Sequence, residues 1–237
     1  MQSFGRSKLP FKQGAITEWR KFVLDSDRML QVLEDVDNFA HKYTIVPGKA
    51  DIFNVFRMLH PDQVKVVIVA QSPYPGCCPA TQMPYACGPA MLPAPGCTTT
   101  PATLRNVVSE ACRNMHKKTS KPPRELVLDW IEQGVLLLNS SLTLGKGCPK
   151  YLEDHSVVWE EVMRNILCKV SAEFDPVFVL VGKDAWKFET SIQADCIKVS
   201  HPVARKETTT PWMGSGVFSA VSNMLLEKGQ LPVKWIF

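Results

Sequence analysis

No apolar run in this sequence reaches the roughly 18 residues that a membrane-crossing helix needs. Its first residues, MQSFGRSKLPFKQ, carry no hydrophobic signal core. An intracellular protein without a membrane partner is therefore expected. Charge of neither sign dominates: 27 Lys and Arg stand against 23 Asp and Glu, a net charge of +4. An anionic partner is permitted by that balance but not required. Metal-ligand spacing is missing as well. Of the 8 cysteines, Cys77, Cys78, Cys87 and Cys97 crowd together in the order C-C-x8-C-x9-C. That pattern lacks the C-x2-C pairs that close a compact zinc or iron–sulfur site, so no metal is expected. Cys112, Cys168 and Cys196 have apolar neighbours and read as reduced core cysteines.

What is present points to an α/β fold. Four short apolar runs, VVIVA (66–70), VLLLN (135–139), VFVLVG (177–182) and CIKVSH (196–201), suit strands covered on both faces. Helical periodicity lies between and after them, at 103–117, 155–170 and 216–229, with Gly229 as a stop. Alternation of this kind predicts a three-layer α/β/α sandwich around a mostly parallel four-stranded sheet. The first 15 residues read as an arm, and 16–237 as a single domain. The Pro-, Gly-, Cys- and Thr-rich stretch 76–101 reads as one long loop, of the kind that is functional or disordered.

Open parallel sheets bind ligands beyond the carboxyl ends of their strands. The four runs deliver Gln71, Ser72 and Tyr74; then Asn139; then Gly182; then Ser200, His201 and Pro202. An amide, an imidazole, a phenol and rigid backbone thus meet at one sheet edge. Each also has a plain structural interpretation. Asn139 can cap a turn, His201 can lie at the surface, and Tyr74 can pack in the core.

These residues carry a resemblance. AQSPYP (70–75) resembles the water-activating motif of the family-1 uracil-DNA glycosylases, usually GQDPYH. GVLLLN (134–139) with LTL (142–144) resembles that family's uracil-reading strand, HPVAR (201–205) its HPSPL loop, and LPVKWIF its closing segment. The arginine in HPVAR brings that loop nearer to the poxvirus-like form. The ordered match covers roughly residues 50 to 237.

The resemblance implies roles for individual residues. Gln71 would contact uracil and the pocket backbone, and Tyr74 would exclude the thymine methyl. Tyr85 would stack on the flipped base. Asn139 would read the uracil edge, and His201 would donate to uracil O2 as charge develops on the leaving base. The Pro73 carbonyl would help hold base and water in place, and Thr103 and Ser200 would grip DNA phosphates. Arg205 would wedge into the duplex. DNA is the implied partner, with replication or polymerase proteins as further ones, in the nucleus or a viral replication compartment. N-glycosidic hydrolysis of this kind needs no metal or cofactor.

The departures are equally legible. Ser72 stands where the family has its water-activating aspartate, and Pro75 where it has histidine. Val203 replaces the serine of HPSP, QMPYA (82–86) replaces the family's GVPFS-like loop, and the proline run is altered at PGCTTTPAT (95–103). A serine can orient water but cannot supply a negative charge beside a cationic sugar. Two readings remain open: a uracil-DNA glycosylase of attenuated chemistry, and a catalytically silent member of the fold that binds DNA or serves polymerase processivity.

Overall fold

The computed structural model describes residues 9–147, 151–204 and 210–237. In chain order the principal elements are α1 (Ala15–Trp19), α2 (Asp27–Lys42), β1 (Ile45–Val46), α3 (Asn54–Met58), β2 (Val66–Ala70), α4 (Ala102–Asn114), α5 (Pro123–Glu132), β3 (Val135–Asn139), β4 (Leu144–Gly145), α6 (Leu152–Phe174), β5 (Val177–Val181), α7 (Lys183–Trp186), β6 (Cys196–Val199) and α8 (Val217–Glu227).

All four expected strands form, in the order β3-β2-β5-β6, and every neighbouring pair is parallel. Every residue of β2, β3 and β5 is buried, as their unbroken apolar runs demand. The edge strand β6 is only partly covered, which fits its Lys198. A separate antiparallel pair, β1 with β4, was not legible in the sequence because each strand has just two residues.

Strand order fixes the layers. From β2 the chain moves outward to β3 through α4 and α5, then returns across β2 to β5 through α6. Right-handed crossovers running in opposite directions place their helices on opposite faces. Accordingly α4 touches α5 and α8 in one layer, while α6 packs with α2 in the other. The direction of winding reverses between β2 and β5, which opens a crevice at their carboxyl ends.

Helical faces follow the periodicity. Leu104, Val107, Val108 and Ala111 are buried on α4, and Trp159, Val162, Ile166 and Leu167 on α6. Gly229 terminates α8 in a left-handed conformation at φ 69°, and its N–H donates to the Leu226 carbonyl at 2.9 Å. The C-terminal segment closes the core. Trp130 Nε1 donates to the Trp235 carbonyl at 3.0 Å, and Trp235 Nε1 to Ser222 Oγ at 3.0 Å.

Two features differ from expectation. Cys112, Cys168 and Cys196 are half-buried rather than inside. The stretch 76–101 is the long loop expected, without helix or strand, and is tied together by isolated antiparallel bridges Cys77–Pro84 and Ala86–Pro93. Of the expected arm, residues 1–8 lie outside the described residues; Leu9 packs against the core and Ala15 is fully buried.

Candidate active site

The crevice at the reversal point holds a cavity of about 250 Å³. Its walls include Gln71, Ser72, Pro73, Tyr74, Asn139 and His201, with Thr103 from the first turn of α4. Three strand ends therefore deliver the side chains that the sequence assigned to them.

The loop after β2 forms the floor and is clamped from several sides. Ser140 N–H donates to the Ala70 carbonyl at 2.7 Å, and Ser140 Oγ donates to the Gln71 carbonyl. Gly147 N–H donates to the Pro75 carbonyl at 2.8 Å. Tyr74 hydroxyl donates to the Met91 carbonyl at 3.3 Å, and burial pushes its phenol pKa upward, so it stays a neutral donor. Pro73 and Pro75 fix φ on either side of Tyr74. The side chain of Ser72 makes no hydrogen bond among the described residues and faces the cavity.

Asn139 is the last residue of β3, opposite Ala70 of β2. It is 2 % exposed, yet its side-chain amide has no hydrogen-bond partner among the described residues. Buried amides are nearly always paired. One left open toward a cavity is shaped for a ligand that presents both a donor and an acceptor.

His201 reaches the cavity from the loop after β6. Two interactions brace that loop against α4: Asn106 Nδ2 donates to the Pro202 carbonyl at 2.7 Å, and Trp212 Nε1 donates to the Asn106 carbonyl at 3.2 Å. Gly182, at φ 83°, is a position where only glycine avoids backbone strain, and it packs against the His201 backbone, a Cβ there lying 3.4 Å from the His201 Cβ. His201 Nδ1 accepts from Val203 N–H at 3.3 Å, which puts the proton of the neutral ring on Nε2. Burial lowers the His201 pKa below the ordinary 6.5, and the nearby Asp184 carboxylate pulls against that shift. A neutral imidazole with an Nε2–H donor is the result near pH 7.

Asp184 escaped the sequence reading. It stands two residues beyond Gly182, at the carboxyl end of β5, and Gln71 Nε2 donates to its Oδ2. The signal available was the sequence GKD directly after an apolar run. We expect an NMR titration to show His201 protonating below pH 6.5, and at lower pH still in Asp184→Asn, because removing the anion removes its support for the imidazolium. An unchanged or raised pKa in the variant would disconnect the two residues.

Two assigned residues are not on the cavity wall. Tyr85 stands edge-on to Tyr74, with ring centroids 6.0 Å apart, and its hydroxyl shares a 2.7 Å hydrogen bond with Thr99 Oγ1. Ser200 is buried, its N–H donating to the Thr210 carbonyl at 2.8 Å. Arg205 lies outside the described residues.

No family model matches the chain. A uracil-DNA glycosylase of Desulfitobacterium hafniense is 33 % identical over 196 residues, covering 81 % of this chain and 82 % of that protein. The uracil-DNA glycosylase of human herpesvirus 6A is 29 % identical over 231 residues, 94 % of this chain and 86 % of that one. Among solved structures, mimivirus uracil-DNA glycosylase matches with a TM-score of 0.80 over 98 % of this chain and 90 % of that chain, at 24 % identity. The UNG structure from Nitratifractor salsuginis matches in fold with a TM-score of 0.62 at 17 % identity, over 95 % of this chain and 94 % of its own.

Proposed function

The chain belongs to the uracil-DNA glycosylase family, and on that premise we propose that it hydrolyses the N-glycosidic bond of deoxyuridine in DNA. The observation that carries the reading is the Asn139 amide, open to the cavity and without a hydrogen-bond partner among the described residues, beside a neutral His201. At about 250 Å³ the cavity lies below the roughly 300–1,000 Å³ of drug-sized sites. It suits a single base rather than a whole nucleotide.

The base must leave the DNA stack to enter, at a cost of a few kcal/mol. Asn139 accepts from uracil N3–H and donates to O4, an arrangement that opposes the exocyclic amine of cytosine. Tyr74, fixed through Met91, closes the side where the thymine methyl would lie. As the C1′–N1 bond breaks, electron density moves onto the uracil ring, and His201 Nε2–H donates to O2. Near pH 7 the lowered pKa leaves the ring neutral, with its proton on Nε2 to make that donation. Water adds to C1′ from the side of Ser72, whose hydroxyl orients it but leaves the sugar cation without a facing carboxylate. Thr103, at the cavity wall, would meet a phosphate, and Gln71 would hold the floor; the burial of Ser200 removes it from the phosphate-gripping role that the resemblance implied.

The missing carboxylate costs about 10²–10⁴ in rate on the usual scale of one such group. A whole enzymatic acceleration is typically about 10⁶ or more, so measurable turnover remains. The test is single-turnover release of uracil from a single-stranded oligonucleotide, with chelator present. Single-stranded substrate should be preferred, since no pairing is broken. Absence of abasic product at high protein concentration and long incubation would sink the catalytic reading. Ser72 favours a second reading, a silent DNA-binding subunit working with replication or polymerase proteins; it requires DNA binding without release. On either reading the protein acts where its DNA is, in the nucleus or a viral replication compartment.

A further inference from the structure

The segment between β2 and α4 brings together cysteines that uracil release does not use. Gly76 to Cys78 lies beside Met83 to Tyr85: Cys78 N–H donates to the Met83 carbonyl at 2.8 Å, and Tyr85 N–H to the Gly76 carbonyl at 3.1 Å. Ala94 N–H then donates to the Tyr85 carbonyl at 2.8 Å, and a turn closes as Cys97 N–H donates to the Ala94 carbonyl at 3.2 Å. This double return carries Cys97 back to Cys78. Both sulfurs rest on one hydroxyl, since Thr99 Oγ1 lies 3.7 Å from Cys78 Sγ and 3.6 Å from Cys97 Sγ. The same oxygen holds the Tyr85 hydroxyl at 2.7 Å.

We propose that Cys78 and Cys97 are a peroxide-oxidisable pair that closes to a disulfide and acts through Thr99 on Tyr85. The two thiols are unequal. Burial opposes ionisation of Cys78, but hydrogen bonds from Cys97, Thr81 and Thr99 outweigh it and pull its pKa down to about 5. Cys97 is shifted upward, by burial and by the hydrogen bond to Cys78, and keeps its proton. Cys87, by contrast, is pushed up to about 12 by burial, and its thiol donates to the Leu92 carbonyl. Cys78 is itself 1 % exposed, but its cover is thin: residues 79–83 and Thr98–Thr99 are exposed.

The chemistry balances with a hydroperoxide as oxidant. The Cys78 thiolate attacks one peroxide oxygen and the O–O bond breaks, giving a sulfenic acid and hydroxide. The Cys97 sulfur then attacks Cys78 Sγ. The S–S bond forms, the S–O bond breaks, and water leaves with the Cys97 proton. Once the S–S bond forms, neither an S–H donor nor a thiolate acceptor is left beside Thr99, so its hydroxyl loses the two sulfur partners that hold it in place. The Tyr85 hydroxyl is then held by a Thr99 no longer fixed from its other side. The effect of this on uracil release rests on the function proposed above; the disulfide does not.

The experiment treats the full chain with hydrogen peroxide at neutral pH, blocks free thiols and maps peptides by mass. A linked Cys78–Cys97 peptide, lighter by two hydrogens and reopened by dithiothreitol, is expected. Cys97→Ser should leave a Cys78 sulfenic acid that dimedone traps, and Cys78→Ser should leave Cys97 unoxidised. No linked peptide, or a link from either residue to Cys77, overturns the pairing. Oxidation should slow uracil release about three- to tenfold, the scale of one neutral hydrogen bond, and dithiothreitol should restore it. Unchanged release by the oxidised protein overturns the coupling to Tyr85. The mapping reads out even if the chain releases no uracil, so the two failures are distinguishable.

Discussion

Ser72→Asp is expected to raise single-turnover uracil release on the order of 10²-fold or more. Ser72 follows the Gln71 clamp, precedes the buried Pro73, and lines the cavity with a side chain that makes no hydrogen bond among the described residues. An aspartate can therefore extend into the cavity without breaking an existing hydrogen bond. Its carboxylate would face both the attacking water and the developing positive charge on the sugar. The gain should appear as pH rises through the pKa of the new carboxylate, because only the ionised form carries the charge. It should be confined to the chemical step, with DNA affinity equal or slightly weaker as negative charge approaches phosphates. Measuring release and DNA binding at one fixed salt concentration separates these effects. A well-folded Ser72→Asp protein with no gain in turnover would transfer support to the silent binding subunit.

Asn139→Ala should lower turnover by roughly 10²–10³, the usual cost of one preorganised group acting on developing charge. Its thermal stability should hardly change. The Asn139 amide is buried without a protein partner among the described residues, so removing it deletes no intramolecular hydrogen bond and uncovers space already open to the cavity. His201→Ala should produce a loss of similar size while removing, among the described residues, one hydrogen bond, the 3.3 Å contact from Val203 N–H, and the electrostatic contact with Asp184. The double variant should lose less than the product of the two factors, since both groups serve one departing base. Single-turnover kinetics with thermal melts on the three variants provide the measurement. Large stability losses with proportionate activity losses would make Asn139 and His201 structural, and unchanged turnover would remove them from the site.

The sequence by itself determined the strands and the chemistry carried at their ends. VVIVA, VLLLN and VFVLVG are short, continuous apolar runs rich in β-branched residues and leucine, which suit strands of a sheet covered on both faces. The residues at the carboxyl end of each run are its immediate neighbours in the chain, so Ser72, Tyr74, Asn139 and His201 could be assigned before any strand was paired. Helices α4, α6 and α8 were legible for the same reason, because a 3.6-residue period shows within a few turns. The N-terminal helix α2 has such a face too, with Met29, Val32 and Val36 buried, but it lies outside the strand–helix alternation and was passed over.

Only the tertiary structure decided the rest. Strand order, and with it the position of the crevice, depends on which apolar run lies beside which, and the runs are nearly interchangeable in composition. Gln71 and Asp184 meet across 113 residues, a separation at which no local pattern carries information. Whether the Asn139 amide is paired, which nitrogen of His201 holds the proton, and how Cys97 returns to Cys78 are equally invisible along the chain. Each is set by the partners that folding brings within hydrogen-bond reach, and those partners are chosen by packing of the whole sheet rather than by neighbouring residues.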